Sequence, residues 1–116
     1  GAVLNESMNS GCAVVANGAI GSVPFLIKDG ENGLAYTNGD FEQFCQKAVY
    51  LLEHPTEREA MGLKAYDTMA EQWNAKNAAE RLLQLIDAIK QGHDPNGVFD
   101  DGVCSNAEIQ AFLSQL

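Results

Sequence analysis

The sequence predicts an α/β fold with short parallel strands and several helices, and a C-terminal half rich in helix. Three observations carry that expectation. Residues 12–16, CAVVA, form an unbroken apolar run with paired β-branched valines between Gly11 and the pair Asn17-Gly18, which suits a strand covered on both faces in a parallel sheet. Residues 34–36, LAY, are a second short apolar stretch, placed behind the turn formers Asp29, Gly30, Asn32 and Gly33. From Asp40 onward the hydrophobic period changes to that of a helix.

Taken in order, residues 1–4 are apolar and begin abruptly, so a piece of a longer chain is expected. A short helix opens at Asn5 or just before it and spans Glu6, Ser7, Met8 and Asn9. Gly11 ends it, because glycine accepts the left-handed conformation at a helix C-terminus. The strand at 12–16 runs into a glycine-rich loop, residues 18–24, GAIGSVP. Open α/β sheets bind ligands in loops at the carboxyl ends of parallel strands. The same composition also makes a plain strand-to-helix connection, and it is not the GxGxxG of a dinucleotide site. Residues 25–28 read as one apolar helical turn before the second strand.

Asp40 with Gln43 forms a capping signature, and Phe41, Phe44, Cys45, Ala48, Val49 and Leu52 recur at helical spacing up to a stop at His54-Pro55. Thr56 with Glu59 repeats the signature ahead of a stripe at fours, Met61, Ala65, Met69 and Trp73, in a helix reaching about Gln72. Gly62 weakens that helix by roughly 1 kcal/mol relative to alanine. A third helix is expected over about 75–91, with Ala78, Ala79, Leu82, Ile86 and Ile89 on one side and Gly92 as its stop. These stripes read as packing faces. Residues 92–104 form an acidic, mobile linker, and Ser105 with Glu108 introduces a short amphipathic terminal helix over 105–116, with Ile109, Phe112, Leu113 and Leu116 along one side. The chain thus divides into a folded part at 1–91, the linker at 92–104 and the terminal helix.

Charge and residue types narrow the chemistry. Seven basic residues against sixteen acidic ones give a net charge of −9, spread over the chain. No basic patch can hold a phosphate backbone, which excludes nucleic acid. Cys12, Cys45 and Cys104 lie far apart without CxxC spacing, as free thiols in a reducing compartment would. No run reaches the roughly 20 apolar residues of a membrane span and no signal peptide is seen, so a soluble intracellular protein is expected. His54 and His93 sit in turns, Ser22 lacks the flanking glycines of a nucleophile elbow, and no catalytic triad can be assembled. Asp94, Asn96, Asp100 and Asp101 are not spaced as alternating calcium ligands, and no metal site is expected. Glu6 stands apart. A carboxylate at a helix start is an ordinary cap, and it is also a group that can accept bonds from a ligand's hydroxyls beside the positive end of the helix dipole.

The series NESMNSGCAVVA, then GAIGSVPFLI, then DGENGLAY resembles the C-terminal, nucleotide-sugar-binding half of GT-B fold glycosyltransferases, specifically the retaining group 1 (GT4-like) family. Members of that family read EAMAxGxPVVA, GGxPELI and DGxNGLLV, followed by three helices. The resemblance covers residues 1 to about 91. It implies a partial Rossmann-like domain whose donor is a nucleoside-diphosphate-sugar, with no further cofactor. The family's donor site uses two glutamates, of which Glu6 matches the second and would hydrogen-bond the ribose hydroxyls. Ala2, Val3 and Leu4 match the preceding segment, whose backbone N–H groups face the donor diphosphate. Three positions depart from the family pattern: Ser7 for alanine, Ala13 for proline, and Phe25 for the glutamate after Pro24, the last removing a polar group from the loop.

By this resemblance the parent is a hexosyltransferase-type glycosyltransferase that passes sugar to a glycan or lipid acceptor held by an absent N-terminal domain. It would be cytoplasmic, with a parent peripheral to the membrane as a variant of that expectation. The fragment alone is expected to be inactive. Two short strands of a larger parallel sheet would leave an exposed apolar edge, through which self-association is expected. The alternative is a noncatalytic nucleotide-binding or protein-interaction module.

Overall fold

In the computed structural model, residues 1–106 are described. The order is α1 (Ala2–Asn9), β1 (Val15–Asn17), α2 (Val23–Leu26), β2 (Leu34–Tyr36), α3 (Phe41–Glu53), α4 (Pro55–Asp67), a π-helical turn (Thr68–Gln72) and α5 (Ala75–Lys90). The two strands pair in parallel, with Val15 opposite Leu34, Ala16 opposite Ala35 and Asn17 opposite Tyr36. This is the mixed α/β, helix-rich architecture expected, and β2 falls on the expected residues. The terminal helix expected over 105–116 falls mostly on residues 107–116, outside the described residues.

The core divides along the two faces of the sheet, because successive strand residues point to opposite sides. On one face Val14, Ala16 and Ala35 pack against Met8, Val23, Leu26, Ile27, Ala65 and Met69. On the other, Ala13 and Val15 pack against Leu34, Leu51 and Met61. Helix α1, α2 and the end of α4 therefore cover one side, and α3 with the start of α4 the other. The strand run at 12–16 was expected to be buried throughout. Instead Cys12 is exposed, and the ladder begins where Val14 O accepts from Leu34 N at 2.8 Å.

Helix α1 begins three residues earlier than Asn5. Gly1 caps it without a side chain, and Asn5 N donates to Gly1 O at 3.2 Å. Its end is the one expected: Gly11 has φ +72, Gly11 N donates to Met8 O and Cys12 N to Ser7 O, the paired bonds of a Schellman turn. The apolar turn at 25–28 begins instead at Val23, with Pro24 in its first turn, where a missing N–H costs nothing. Asp40 caps α3 as expected, its Oδ1 accepting from Gln43 N at 2.8 Å. Helix α4 is not capped by Thr56; Pro55 follows directly on His54, which ends α3. His54 is half-buried, stacked on Tyr50 at 4.2 Å.

The three stripes fare differently. Met61, Ala65 and Met69 are buried, as a packing face requires. On α3 the expected stripe divides: Phe44, Cys45 and Ala48 are half-buried, Phe41, Val49 and Leu52 are exposed, and Leu51 is the residue that enters the core. Helix α5 has no buried residue, and Leu82, Ile86 and Ile89 are exposed. Periodicity assigned these residues to one side of a helix; α3 turns only part of that side to the sheet, and among the described residues Leu82, Ile86 and Ile89 of α5 stay uncovered. Residues 92–104, expected as a mobile linker, turn back on α5. The guanidinium of Arg81 lies 4.6 Å from the Phe99 ring centroid and donates to Asp101 O and Val103 O, while Lys28 pairs with Asp101 at 3.3 Å.

Asn32, 3% exposed, ties the loop before β2 to the π-helical turn. Its Nδ2 donates to Leu26 O and to Thr68 Oγ1, each at 2.9 Å, and its Oδ1 accepts from Lys28 N at 2.7 Å. Thr68 Oγ1 in turn donates to Lys64 O at 2.8 Å.

Candidate functional site

The first turn of α1 is made of Ala2, Val3 and Leu4. The opening N–H groups of a helix have no acceptor within it, Gly1 offers no side-chain cap, and the first turn holds no acidic residue. The result is a set of outward donors at the positive end of the helix dipole, a place that favours an anion. Val3 is 78% exposed, whereas Leu4 packs onto the core cluster that contains Met8 and Val23. That shared core fixes the start of α1 relative to the loop leaving β1.

Glu6 does not open the helix; it is the fifth residue of α1, in the second turn, and is exposed. The earlier helix start is the reason. A dipole acts mainly within the first turn, so capping no longer accounts for a carboxylate here. Side chains on a helix lean toward its N-terminus, and residues three and four apart share a face. Glu6 therefore stands on the side of Ala2 and Val3, and its carboxylate has no hydrogen bond or ion pair among the described residues. The four sequence-expected site residues are thus brought onto one helix end.

The carboxyl ends of the strands hold groups that the sequence reading passed over. Asn17, the last residue of β1, accepts through Oδ1 from Ala19 N at 2.9 Å and donates through Nδ2 to Asn38 Oδ1 at 2.8 Å. Gly18 N donates to Tyr36 O at 2.9 Å, joining the loops that leave the two strands. The available signal was the Asn17-Gly18 pair, which marks a sharp turn as well as a strand boundary. The loop then closes through Ile20 N to Asn17 O and Val23 N to Ile20 O. Ser22 Oγ is buried without a hydrogen-bond partner among the described residues. A polar groove along the π-helical turn is lined by Lys28, Asn32, Lys64 and Thr68 and by no residue of α1. No group of three or more potential metal-binding side chains occurs among the described residues, and no helix there is long and apolar enough to cross a membrane.

Parallel strands with helices on both faces and a glycine-rich loop leaving β1 are the build of a Rossmann-like domain, of which the chain forms a part. Residues 1–68 match the family described as glycosyl transferases group 1, and the chain belongs to that family. A trehalose synthase of Pyrococcus horikoshii is 30% identical over 89 residues, covering 77% of this chain and 21% of that protein. The matched stretch therefore spans about a fifth of the length of this relative. No solved structure matches the chain.

Proposed function

We propose that the chain is the donor-binding, C-terminal part of a GT-B fold, GT4-like retaining hexosyltransferase. It would take sugar from a nucleoside-diphosphate-sugar and pass it to a glycan or lipid acceptor bound by an N-terminal domain. The observation that carries the reading is the bare start of α1, fixed by Leu4 and Met8 against the loop after β1. In this reading the N–H groups of Ala2, Val3 and Leu4 face the donor diphosphate, and their dipole stabilises the negative charge that builds on it as the sugar leaves. Glu6, one turn behind on the same side, accepts from the ribose hydroxyls. The chain alone is inactive, since the N-terminal domain is needed to complete the acceptor site, and its exposed helical residues and short sheet edge favour self-association. The division into 1–91, 92–104 and 105–116 and a cytoplasmic or membrane-peripheral parent belong to the same proposal.

The test is titration of the chain with UDP, GDP and ADP, followed by amide chemical shifts. The expected result is a response at residues 2–6 and a loss of affinity of about tenfold in Glu6→Ala, the scale of one hydrogen bond to a charged group. Binding that is indifferent to Glu6 overturns the site and leaves the noncatalytic module.

A further inference from the structure

Phe41 is 74% exposed at the start of α3, yet its ring is not isolated. It lies 6.0 Å from Phe44, which meets Tyr36 edge-on at 5.2 Å. Tyr36 ends β2 and pairs in register with Asn17, which ends β1, so their side chains leave the same face of the sheet. Leu34, two residues earlier on that face, is buried with Leu51 and Met61. Helix α3 therefore covers this face where the core is and leaves it open at the carboxyl end, with an aromatic row and an amide pair side by side.

We propose that Phe41, backed by Phe44 and Tyr36, with the Asn17–Asn38 amide pair at the Tyr36 end of the row, is a platform for a sugar ring. A hexose presents an apolar face of C–H groups, which packs on an aromatic ring, and a rim of hydroxyls that both donate and accept. The rim here offers both. Asn38 Nδ2 and the second Asn17 Nδ2 hydrogen have no acceptor among the described residues, and Asp40 uses Oδ1 alone, for its helix cap. The row is braced: Phe44 is half-buried, and Asn17 is held by Ala19 N and by Asn38. It stands at the end of parallel strands where open α/β folds take their ligands. The inference deepens the transferase reading and rests on it only for where the sugar comes from, donor or acceptor.

The experiment is titration of the isotope-labelled chain with maltose, lactose and mannobiose, following the ring signals of Phe41 and Phe44. At least one sugar is expected to shift them. Phe41→Ala should weaken that binding about tenfold, the scale of one aromatic stacking contact, Phe41→Trp should retain it, and Asn38→Ala should reduce it. Phe41 and Asn38 are exposed, so unchanged far-ultraviolet circular dichroism is the check on folding. Displacement of the sugar by a nucleoside-diphosphate-sugar but not by the nucleoside diphosphate marks the donor's sugar; no displacement marks the acceptor's. Glu6→Ala should leave sugar binding intact, so failure of the nucleotide site is separable from failure of the platform. The platform is overturned if none of the sugars moves the rings, if Phe41→Ala binds sugar as the parent chain does, or if a free nucleoside moves them and the sugars do not.

Discussion

A β-carbon added to Gly62 would lie 2.1 Å from the carbonyl oxygen of Gly11, so the backbone of α4 rests directly on the turn that ends α1. Helix propensity alone favours alanine over glycine by about 1 kcal/mol, but here overlap with fixed backbone outweighs it. Gly62→Ala is expected to destabilise the fold by about 2 kcal/mol net, in the range of overpacked sites. The check is a lower urea midpoint at unchanged slope.

Asn32→Ala removes three hydrogen bonds at a buried position and strands Leu26 O and Lys28 N. A loss on the order of 3 kcal/mol is expected from such buried, unpaired groups. Thr68→Val removes one partner of the same network, so the double variant should cost less than the sum of the singles. Thermal melts of the four proteins provide the cycle.

Arg81 ties the tail to α5: its guanidinium lies near the Phe99 ring, and Nη1 donates to two carbonyls. Lysine keeps the charge and loses the planar group that stacks on the ring. Both Arg81→Ala and Arg81→Lys should therefore raise amide exchange across residues 97–105, with a local cost of about 1 kcal/mol. Exchange in α4 should stay as it is; equal loosening of α4 would show that the tail supports the core.

Glu6→Ala should leave stability within about 0.5 kcal/mol, since the side chain is exposed and makes no bond among the described residues. Its expected effect is confined to nucleoside diphosphate binding. A fall in melting temperature with no change in binding would make Glu6 a structural residue.

Signals confined to a few neighbouring residues were legible in the sequence. Asp40 with Gln43, the left-handed Gly11 and the LAY strand stand where expected because each is specified within a few residues. The start of α1 was not, since Gly1 caps by backbone alone and leaves Asn5 as the more visible cap. That single displacement moved Glu6 from the helix opening to its second turn. The π-helical turn was also missed, although the stripe Met61, Ala65, Met69, Trp73 contains a trace of it. At about 3.6 residues per turn a strict four-residue stripe drifts around a helix, and a wider turn at Thr68–Gln72 brings Trp73 back to the core it packs against. The exposed stripe of α5 and the half-exposed stripe of α3 show the complementary gap, because a periodic pattern names a side without naming what covers it. Asn32 and the Asn17–Asn38 pair depend on residues brought close only by the fold.

The two strands pair over only three residues each, and side chains hold them from two directions. Asn17, the last residue of β1, donates to Asn38 in the turn beyond β2, while at Ala35, in the middle of β2, Asp29 Oδ1 accepts from Ala35 N at 2.8 Å and Lys47 bridges Asp29 and Ala35 O. The first contact fastens one strand to the far end of the other; the second moors β2 to its preceding loop and to α3. A slip of β1 by one residue would have to release the Asn17–Asn38 bond and would swing Val15 out of one half of the core into the other. The carboxyl ends of the strands thus inherit their spacing from groups that need never touch a ligand.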